Sequence, residues 1–274
     1  MTIPVVRLIG APTDCHSSFL RGPAQAPAAI RAMLASEHGN AASESGLEVA
    51  IDFHFDDHGD VLLADVLAAI ASDDAAISAA VTAAIQSGAM PLILGGDHAI
   101  STPVVAALAA AHGPLNILHF DAHPDLYDDF EGDPRSHASP FARIMEAGHA
   151  KRLVQVGIRT MNRHCREQVA RFGVDVIEMK DFTVESVPVL EGPLYISIDM
   201  DGIDPAFAPG VSHPEPGGLS VRDVLSVLNK QTAPLVGADV VELNPTRDIN
   251  GLTANLAAKL VKELAALHTR NGRA

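Results

Sequence analysis

The chain has 274 residues, of which 47% are hydrophobic and 4% aromatic, and its formal net charge is −15 at pH 7. This length and apolar content predict one α/β domain over residues 1–274 with a substantial core. The negative charge argues against nucleic acid and anionic membrane surfaces as partners and is compatible with a small cationic ligand.

Short apolar runs alternate with longer helical patterns along the chain. In chain order, the sequence predicts strand Val5–Ile9, polar loop Ser36–Ser45, strand Val49–Phe53, a long Ala-rich helix that Asp60 could cap and that runs toward Gln86, strand Pro91–Leu94, helix Thr102–Ala111, strand Leu115–Phe120, acidic loop Tyr127–Ser139, helix Pro140–Ala147, strand Leu153–Gly157, helix Cys165–Phe172, strands Val174–Glu178 and Leu194–Ile198, helix Val221–Leu228, strand Leu235–Val241 and helix Thr253–Leu267.

The predicted strands are continuous runs of Val, Ile and Leu rather than alternating ones. Such runs are typical of parallel strands that are covered on both faces, and the alternation with helices also favours a parallel sheet. Two architectures fit this pattern: an open doubly wound sheet in three α/β/α layers, or a closed eight-fold barrel. Periodicity alone does not separate them.

Clusters of polar residues follow the predicted strands directly, where ligands bind in parallel α/β folds. Asp121, His123 and Asp125 alternate after one strand, so their side chains point to one side of extended backbone. Such groups would repel one another unless a cation compensated their charge. A solvated acidic loop is the alternative, and the apolar approach to Asp121 makes it the weaker one.

Three further clusters are less specific when taken singly. His98 follows Gly95-Gly96 and by itself is best explained as a core histidine at a turn. Asp199 and Asp201 repeat the alternating spacing after another strand, whereas Asp204 before Pro205 is expected at a turn. Glu242 is a single carboxylate at a strand end, suited to a cationic substrate.

Together these residues form a candidate ligand set of two imidazoles and four carboxylates: His98, Asp121, His123, Asp125, Asp199 and Asp201. Four carboxylates exceed what one divalent ion needs, so two ions that share ligands are expected. Hard oxygen ligands with a minority of imidazoles and no thiolate favour manganese over structural zinc. Two such ions about 3.5–4 Å apart can share a water and lower its pKa toward neutrality.

The chain resembles the arginase/agmatinase (ureohydrolase) family, and within it plant-type arginases and their bacterial agmatinase-like relatives. The segments that carry the resemblance are Ser17–Pro27, Gly95–Ile100, Asp121–Asp125, Ser136–Glu146, Val156–Asn162, Ser197–Pro205, Gly210–Ser220 and Val240–Pro245. The resemblance implies an open eight-stranded parallel sheet with helices on both faces, a pair of Mn²⁺ ions in each subunit, and homotrimers or homohexamers.

The resemblance also implies roles for individual residues. One ion would be bound by His98, Asp121, Asp125 and Asp199, and the other by Asp121, His123, Asp199 and Asp201. Asp125 would relay a proton from the attacking hydroxide to the leaving amine. His137 would be the proton shuttle, and Glu242 would hold the guanidinium. Glu242, His137 and Asn162 are therefore the predicted substrate-binding residues.

The predicted reaction is hydrolysis of a guanidino compound to urea and an amine. Animal-type arginases have Asn where this chain has Tyr127 and Asp where it has Asn162, which weakens the case for an arginine clamp of that type. We therefore expect agmatine as substrate, with arginine or another guanidino acid as the alternative. Arg135, near His137, could bind a carboxylate but is better explained as a solvated loop residue. Arg21 and Arg159 are also available, Arg159 with an expected structural role.

Three other functions are less favoured by the residues. A formiminoglutamate hydrolase would need more basic residues around its pocket, and deacetylases of related fold bind one zinc with fewer ligands. A non-catalytic metal-binding subunit would be expected to lack a ligand or the shuttle histidine, and this chain has both.

The cysteines and the N-terminus bear on location. Cys15 and Cys165 are too far apart in sequence to form a disulfide framework and lack zinc-thiolate neighbours, so both are expected to be reduced. The N-terminal segment lacks the layout of a secretion signal, and no apolar run reaches the roughly 18–20 residues that span a bilayer. These features predict a cytoplasmic protein.

Overall fold

In a computed structural model, which describes residues 3–272, eight strands form one sheet. The strands are β1 (Val5–Ala11), β2 (His54–Asp60), β3 (Met90–Gly95), β4 (Leu115–Phe120), β5 (Ala150–Ile158), β6 (Asp175–Glu178), β7 (Leu194–Asp199) and β8 (Leu235–Val241). The helices are α1 (Ala26–Leu34), α2 (Ile70–Gln86), α3 (Ser101–His112), α4 (Pro140–Glu146), α5 (Arg163–Phe172), α6 (Val221–Lys230) and α7 (Leu252–Asn271).

All neighbouring strands are parallel, in the order β2-β1-β3-β8-β7-β4-β5-β6. Because β2 and β6 are edges that do not pair with each other, the sheet is open. The predicted open α/β architecture is confirmed, and the closed barrel is excluded.

The two faces of the sheet carry separate hydrophobic layers. Successive strand residues alternate between them: Leu8 lies in one layer and Ile9 in the other. Helices α1, α6 and α7 pack on the Leu8 face, and α2 to α5 pack on the Ile9 face. Burial on both faces is the reason why these strands are continuously apolar rather than alternating.

Local hydrogen bonds fix where several helices begin. Ser220 and Asp223 form a reciprocal capping box at the start of α6. Asn162 caps α5 by accepting a hydrogen bond from the Cys165 backbone nitrogen, and Asp97 accepts one from the Ala99 nitrogen in the turn before α3. Two of these caps lie in loops next to the site described below.

The predicted second strand, Val49–Phe53, is wrong. That segment is a tight turn in which Ala50 has φ 68° and its nitrogen donates to the Phe53 carbonyl oxygen at 2.7 Å. Strand β2 begins at His54 instead. Its sequence is rich in Asp and His because it is a half-exposed edge strand, so hydrophobic patterning could not identify it.

The predicted helix start at Asp60 is also wrong. Asp60 ends β2, and its carboxylate pairs with Arg31 on α1, while α2 begins only at Ile70. Helix α1 itself was not predicted, because prolines punctuate its start: a short turn at Pro23–Gln25 leads into the helix, and Pro27 occupies its first turn. Proline is tolerated there because the first backbone N–H groups have no partner within the helix.

One helical stretch, Leu67–Gln86, is long and apolar enough to cross a membrane by length and composition, with a mean hydropathy of 1.4. The expectation that no segment reaches this length is therefore wrong. Ile77, Val81 and Ala84 of this stretch pack into the layer on the Ile9 face. Core helices meet the same criterion, so the stretch by itself does not show a membrane span.

Gly96, at the end of β3, offers a test of how tightly the strand ends are packed. A methyl group there would overlap the Thr13 carbonyl group and lie 2.9 Å from the Ala11 carbonyl oxygen. Because these obstructing atoms are backbone, we expect Gly96→Ala to lower the free energy of unfolding by about 3 kcal/mol. Thermal unfolding followed by circular dichroism measures this.

Gly39→Ala is the matched control, because the nearest heavy atom to an added methyl is the flexible Lys262 Nζ at 3.8 Å. An equal loss of stability in both variants would contradict the close packing of the β1 and β3 ends.

Candidate metal centre and active site

The predicted site residues meet at the carboxyl ends of four adjacent strands, β3, β8, β7 and β4. These strands are far apart in sequence and become neighbours only through the sheet order. Phe120 of β4 pairs with Ile198 of β7, so Asp121 and Asp199 follow side by side. Ile198 also pairs with Val240 of β8, which brings the Glu242 loop next to them.

A first cluster surrounds His98. Its Nδ1 atom lies 3.3, 3.0 and 3.1 Å from the Oδ2 atoms of Asp121, Asp125 and Asp199. One ligand atom from each of these residues falls within a 4.8 Å span of the others, and all the residues are buried. The structure therefore brings together the whole group that the resemblance assigns to one ion.

A second cluster shares Asp121 with the first. His123 Nδ1 lies 3.4 Å from Asp121 Oδ1 and 3.2 Å from Asp201 Oδ2. Asp199 is absent from this compact group, and its Oδ1 accepts a hydrogen bond from the Asp201 nitrogen at 2.8 Å. Asp121 is thus common to both clusters, while the bridging role of Asp199 stays a prediction.

The electrostatics of the clusters are those of an uncompensated acidic site. Burial raises the pKa of Asp199 well above its usual value, and the charges of Asp201 and Asp121 raise it further. Burial likewise raises the pKa of Asp201 to about 6. Burial lowers the pKa of His98, but the three carboxylates around it more than offset this and raise the pKa. The clusters therefore attract positive charge.

The donor chemistry fits metal ions rather than protons alone. His98 Nδ1 is buried and makes no well-aligned hydrogen bond, although three carboxylate oxygens lie near it. A buried imidazole nitrogen that faces converging carboxylates without a well-aligned hydrogen bond is the arrangement expected when a cation sits between them. The two clusters are therefore suited to a pair of divalent ions.

Asp125 and Glu242 adopt left-handed backbone conformations, with φ of 50° and 63°. Such conformations are uncommon for residues other than glycine and cluster at functional sites. At Glu242 the turn is held by its backbone nitrogen, which donates to the Gly96 carbonyl oxygen at 2.9 Å. Both side chains line the same cavity.

Glu242 and His137 form a buried pair. Glu242 Oε1 accepts a hydrogen bond from the His98 backbone nitrogen and lies 2.9 Å from His137 Nδ1. On the other side of the ring, the Ser18 backbone nitrogen donates to His137 Nε2 at 3.1 Å, with the Ser18 hydroxyl 2.8 Å away. Since a backbone N–H can only donate, this contact favours a proton on Nδ1.

Two opposing effects act on the proton affinity of His137. Burial lowers its pKa, whereas the negative charge of Glu242 raises it, with a net rise to about 9. The Ser18 N–H opposes protonation of Nε2. His137 is therefore a buried proton-exchanging group whose state depends on its partners.

His119 supports Asp121 from behind. Its Nε2 lies 2.7 Å from Asp121 Oδ2, and its Nδ1 lies 3.1 Å from the Gln155 amide nitrogen. The same amide donates to the Pro124 carbonyl oxygen at 2.6 Å. Because both Gln155 contacts use its NH₂ group, His119 Nδ1 accepts and Nε2 carries the proton that it donates to Asp121.

The cavity above the clusters has a volume of about 200 Å³ and is lined by Asp125, His137, Asp199, Asp201 and Glu242, among others. His213 also lines it. Its ring lies 5.3 Å from that of His137 and 5.9 Å from that of His123, and it makes no hydrogen bond within residues 3–272. Burial and then the neighbouring His137 lower its pKa, so the ring is neutral with a free N–H.

Asn162 does not join this group. Its Oδ1 caps α5 and its Nδ2 donates to the Tyr127 hydroxyl at 2.5 Å, so both ends of its amide are engaged. Tyr127 and Cys165 line the cavity, whereas Asn162 does not. Its predicted contact with substrate has no support in this geometry. Cys165 is a free buried thiol, as is Cys15.

The remaining arginines are engaged elsewhere. Arg135 is neither solvated nor directed at the cavity: its side chain is half-buried and pairs with Asp74 of α2 at 2.7 Å. Arg21 pairs with a carboxylate of its own loop, and Arg159 donates to four backbone carbonyl oxygens, a structural role as expected. Asp204 accepts backbone hydrogen bonds at a turn, also as expected.

Several site residues were not singled out from the sequence. Ser18 and His213 lie in segments that carry the family resemblance, but nothing in those segments showed that they contact the cavity. His119 and Gln155 lie inside apolar strands, where a polar residue with both faces covered was the available signal.

Known proteins resemble the chain over most of its length. A family model described as "Arginase family" matches residues 5–266. Arginase 1 of Arabidopsis thaliana is 52% identical over 94% of this chain and 80% of that protein. The agmatinase of Gallus gallus is 37% identical over 66% of this chain and 57% of that protein. The solved arginase from Medicago truncatula is 45% identical, with a TM-score of 0.92 over 97% of this chain and 88% of that one.

The expected cytoplasmic location is contradicted by these relatives. The matching arginases of Arabidopsis thaliana, Oryza sativa and Medicago truncatula are named as mitochondrial proteins. The expectation rested on the lack of a secretion signal, which is not the kind of segment that directs proteins to mitochondria.

Because the carboxylates of the first cluster repel one another, we expect removal of one of them to have opposite effects on the Tm without metal and on the rise in Tm that metal produces. We expect Asp199→Asn to raise the Tm of the metal-free protein by about 2–4 °C, because it removes a carboxyl group whose ionised form is destabilised by burial and by the charges of Asp201 and Asp121. The same substitution should reduce the further rise in Tm that Mn²⁺ produces in the unmodified protein. Thermal unfolding with a chelator and with added Mn²⁺ measures both.

Glu167→Gln, which neutralises an exposed carboxylate on α5, should change neither value. A lower Tm for metal-free Asp199→Asn would show that the carboxylates do not strain the site.

Proposed function

Because the chain belongs to the arginase family, whose members are hydrolases acting on guanidino carbon–nitrogen bonds, we propose that it hydrolyses arginine to ornithine and urea. The observation that carries the proposal is the buried Glu242–His137 pair beside the two clusters in one cavity. Agmatine was the expected substrate, but identity to plant arginases is higher and covers more of the chain than identity to agmatinase, which favours the arginine alternative.

The family depends on a binuclear metal centre, and we propose manganese for this chain. Its ligands would be the six predicted residues: His98, Asp121, His123, Asp125, Asp199 and Asp201. Their oxygen-rich composition with two imidazoles supports the choice of metal. When bound, two such ions would lower the pKa of a water molecule and stabilise the charge that develops on the substrate.

Glu242 is suited to orient the guanidinium group. Its Oε1 is engaged by His98 and His137, whereas its Oε2 accepts no hydrogen bond from residues 3–272. A planar guanidinium can donate to this free oxygen in a charge-assisted contact. The left-handed backbone at Glu242 holds the carboxylate at the cavity wall before substrate arrives.

Asp125 and His137 are suited to proton transfer. Asp125 lines the cavity and can take a proton from the attacking water and deliver it to the leaving amine. His137 connects Glu242 to Ser18, an exposed residue that lines the same cavity, so His137 can exchange protons with solvent through the Ser18 hydroxyl.

His213 supports arginine over agmatine. Arginine carries an α-carboxylate that agmatine lacks, and the acidic walls of the cavity would otherwise repel it. His213 offers a free N–H in the cavity lining, and we assign it to this carboxylate. The assignment accounts for a polar side chain that has no partner within the described chain. The homotrimeric or homohexameric assembly implied by the resemblance stays a prediction.

Urea release after manganese loading tests the proposed reaction. We expect urea from arginine, with smaller kcat/KM for agmatine and guanidinobutyrate. Glu242→Gln, which keeps the shape but removes the charge, should lower kcat/KM for arginine by about 100-fold or more. If no guanidino compound yields urea, the non-catalytic alternative is favoured. A larger kcat/KM for agmatine than for arginine would overturn the assignment of arginine as the substrate.

His213→Ala separates recognition of the substrate tail from catalysis. Loss of a hydrogen bond to a charged group costs about 1.5–3 kcal/mol, so we expect kcat/KM for arginine to fall about 10–100-fold. The value for agmatine should change little, because it has no carboxylate to lose. Phe19→Leu, which alters an apolar neighbour of the His213 ring, is the control. An equal fall for both substrates would contradict the assignment.

A further inference from the structure

A buried carboxylate lies behind His98, outside the predicted ligand set. Asp239 of β8 has no exposed surface, and within residues 3–272 no Lys, Arg or His side chain forms an ion pair with it. Burying a carboxylate without a cation costs several kcal/mol unless hydrogen bonds replace its hydration. Hydrogen bonds from its neighbours must therefore hold Asp239 in place.

Three hydroxyl groups surround Asp239. The Tyr195 hydroxyl and the Ser101 hydroxyl, at 2.5 Å, donate to Oδ2. The Ser197 hydroxyl donates to Oδ1 at 2.6 Å. Each hydroxyl has one proton, and a carboxylate can only accept, so all three protons point at Asp239.

This arrangement determines the remaining contact of Ser197. Its oxygen lies 2.9 Å from His98 Nε2. Because the Ser197 proton is already given to Asp239, the Ser197 oxygen accepts, and His98 Nε2 must carry a proton. In a neutral imidazole the other nitrogen, Nδ1, then has a free lone pair. That nitrogen is the one that faces Asp121, Asp125 and Asp199.

We propose that Asp239 is a positioning residue that, through Ser197, holds His98 in the tautomer able to bind metal. The proposal deepens the proposed function, because it concerns the same metal centre, but it is read out by metal binding alone. The Ser197 hydroxyl lies between Asp239 and the metal-binding residue His98, so Asp239 contacts neither the substrate nor the reacting atoms.

The alternative tautomer is a real competitor at this site. The carboxylates around Nδ1 attract a proton to that nitrogen when no metal is present. Without the charge of Asp239, the Ser197 hydroxyl is free to turn and donate to Nε2, which leaves the single ring proton on Nδ1. That proton would occupy the position of the metal and weaken its binding.

The test is titration of the metal-free protein with Mn²⁺, in which free Mn²⁺ is followed by electron paramagnetic resonance. Loss of such an outer partner of a ligand weakens metal binding by about 10–100-fold. We expect Asp239→Asn to raise one of the two Kd values by this factor and to leave the other nearly unchanged. The selectivity follows because His98 belongs only to the first cluster, whereas His123 and Asp201 belong to the second.

Ser197→Ala breaks the same relay at its middle and keeps the proposal testable if Asp239→Asn folds poorly. It should weaken Mn²⁺ binding at the same site. The double variant should bind Mn²⁺ as tightly as the more weakly binding of the two single variants, because the two residues act in series. Tyr195→Phe is the matched control: it removes one hydroxyl from Asp239 but leaves the Ser197–His98 contact, so its effect should be smaller.

Unchanged Mn²⁺ affinity in Asp239→Asn and in Ser197→Ala would overturn the relay. Equal weakening of the two Mn²⁺ sites, together with a lower Tm of the metal-free protein, would also overturn it, because that result would indicate a structural role. Additive effects in the double variant would show that the residues act separately. A wild-type protein that binds fewer than two Mn²⁺ ions would instead overturn the binuclear centre of the proposed function.

Discussion

Mutual repulsion among buried carboxylates is the constraint on which the rest of this structure depends. Asp121, Asp125, Asp199 and Asp201 are all buried at the carboxyl edge of the sheet, and their nearest basic groups are three imidazoles, those of His98, His119 and His123. No arrangement of this kind is stable without compensating positive charge. The fold therefore holds the site in a geometry that favours cations, and we expect the same excess negative charge that suits the site to metal ions to destabilise the metal-free protein.

Rigid backbone resists this repulsion. Four parallel strands end side by side, and glycines at the strand ends allow their loops to cross in close contact: Gly96 meets the β1 loop, and Gly202 meets the backbone of Asp121. Asp125 and Glu242 are held in left-handed backbone conformations, which cost conformational free energy that the packing of the surrounding structure must offset. The result is a cavity whose polar groups are oriented before any ligand binds.

Around the acidic groups, neutral polar side chains determine where protons lie. Gln155 makes His119 a donor to Asp121, Ser18 directs His137 toward Glu242, and the Ser197 hydroxyl makes His98 Nε2 a donor. Each contact works by the same rule: a group that can only donate or only accept fixes the tautomer of its neighbour. In a site with several histidines, such contacts decide which nitrogen is free to bind metal or exchange a proton.

The sequence by itself determined the sheet class and the identity of the clustered acids. Continuous apolar runs reveal doubly covered strands, and the acids that follow them directly lie at the carboxyl edge of the sheet. The extended, alternating backbone predicted for these acids is wrong, because Asp125 has φ 50° and Asp201 lies in a short helical turn. The sequence could not reveal β2, whose edge position tolerates polar residues, or the roles of Ser18, Asp239 and Asn162. Those depend on contacts between segments distant in the chain, which only the strand order brings together, because pairing in the sheet places strands side by side whatever their separation in the sequence.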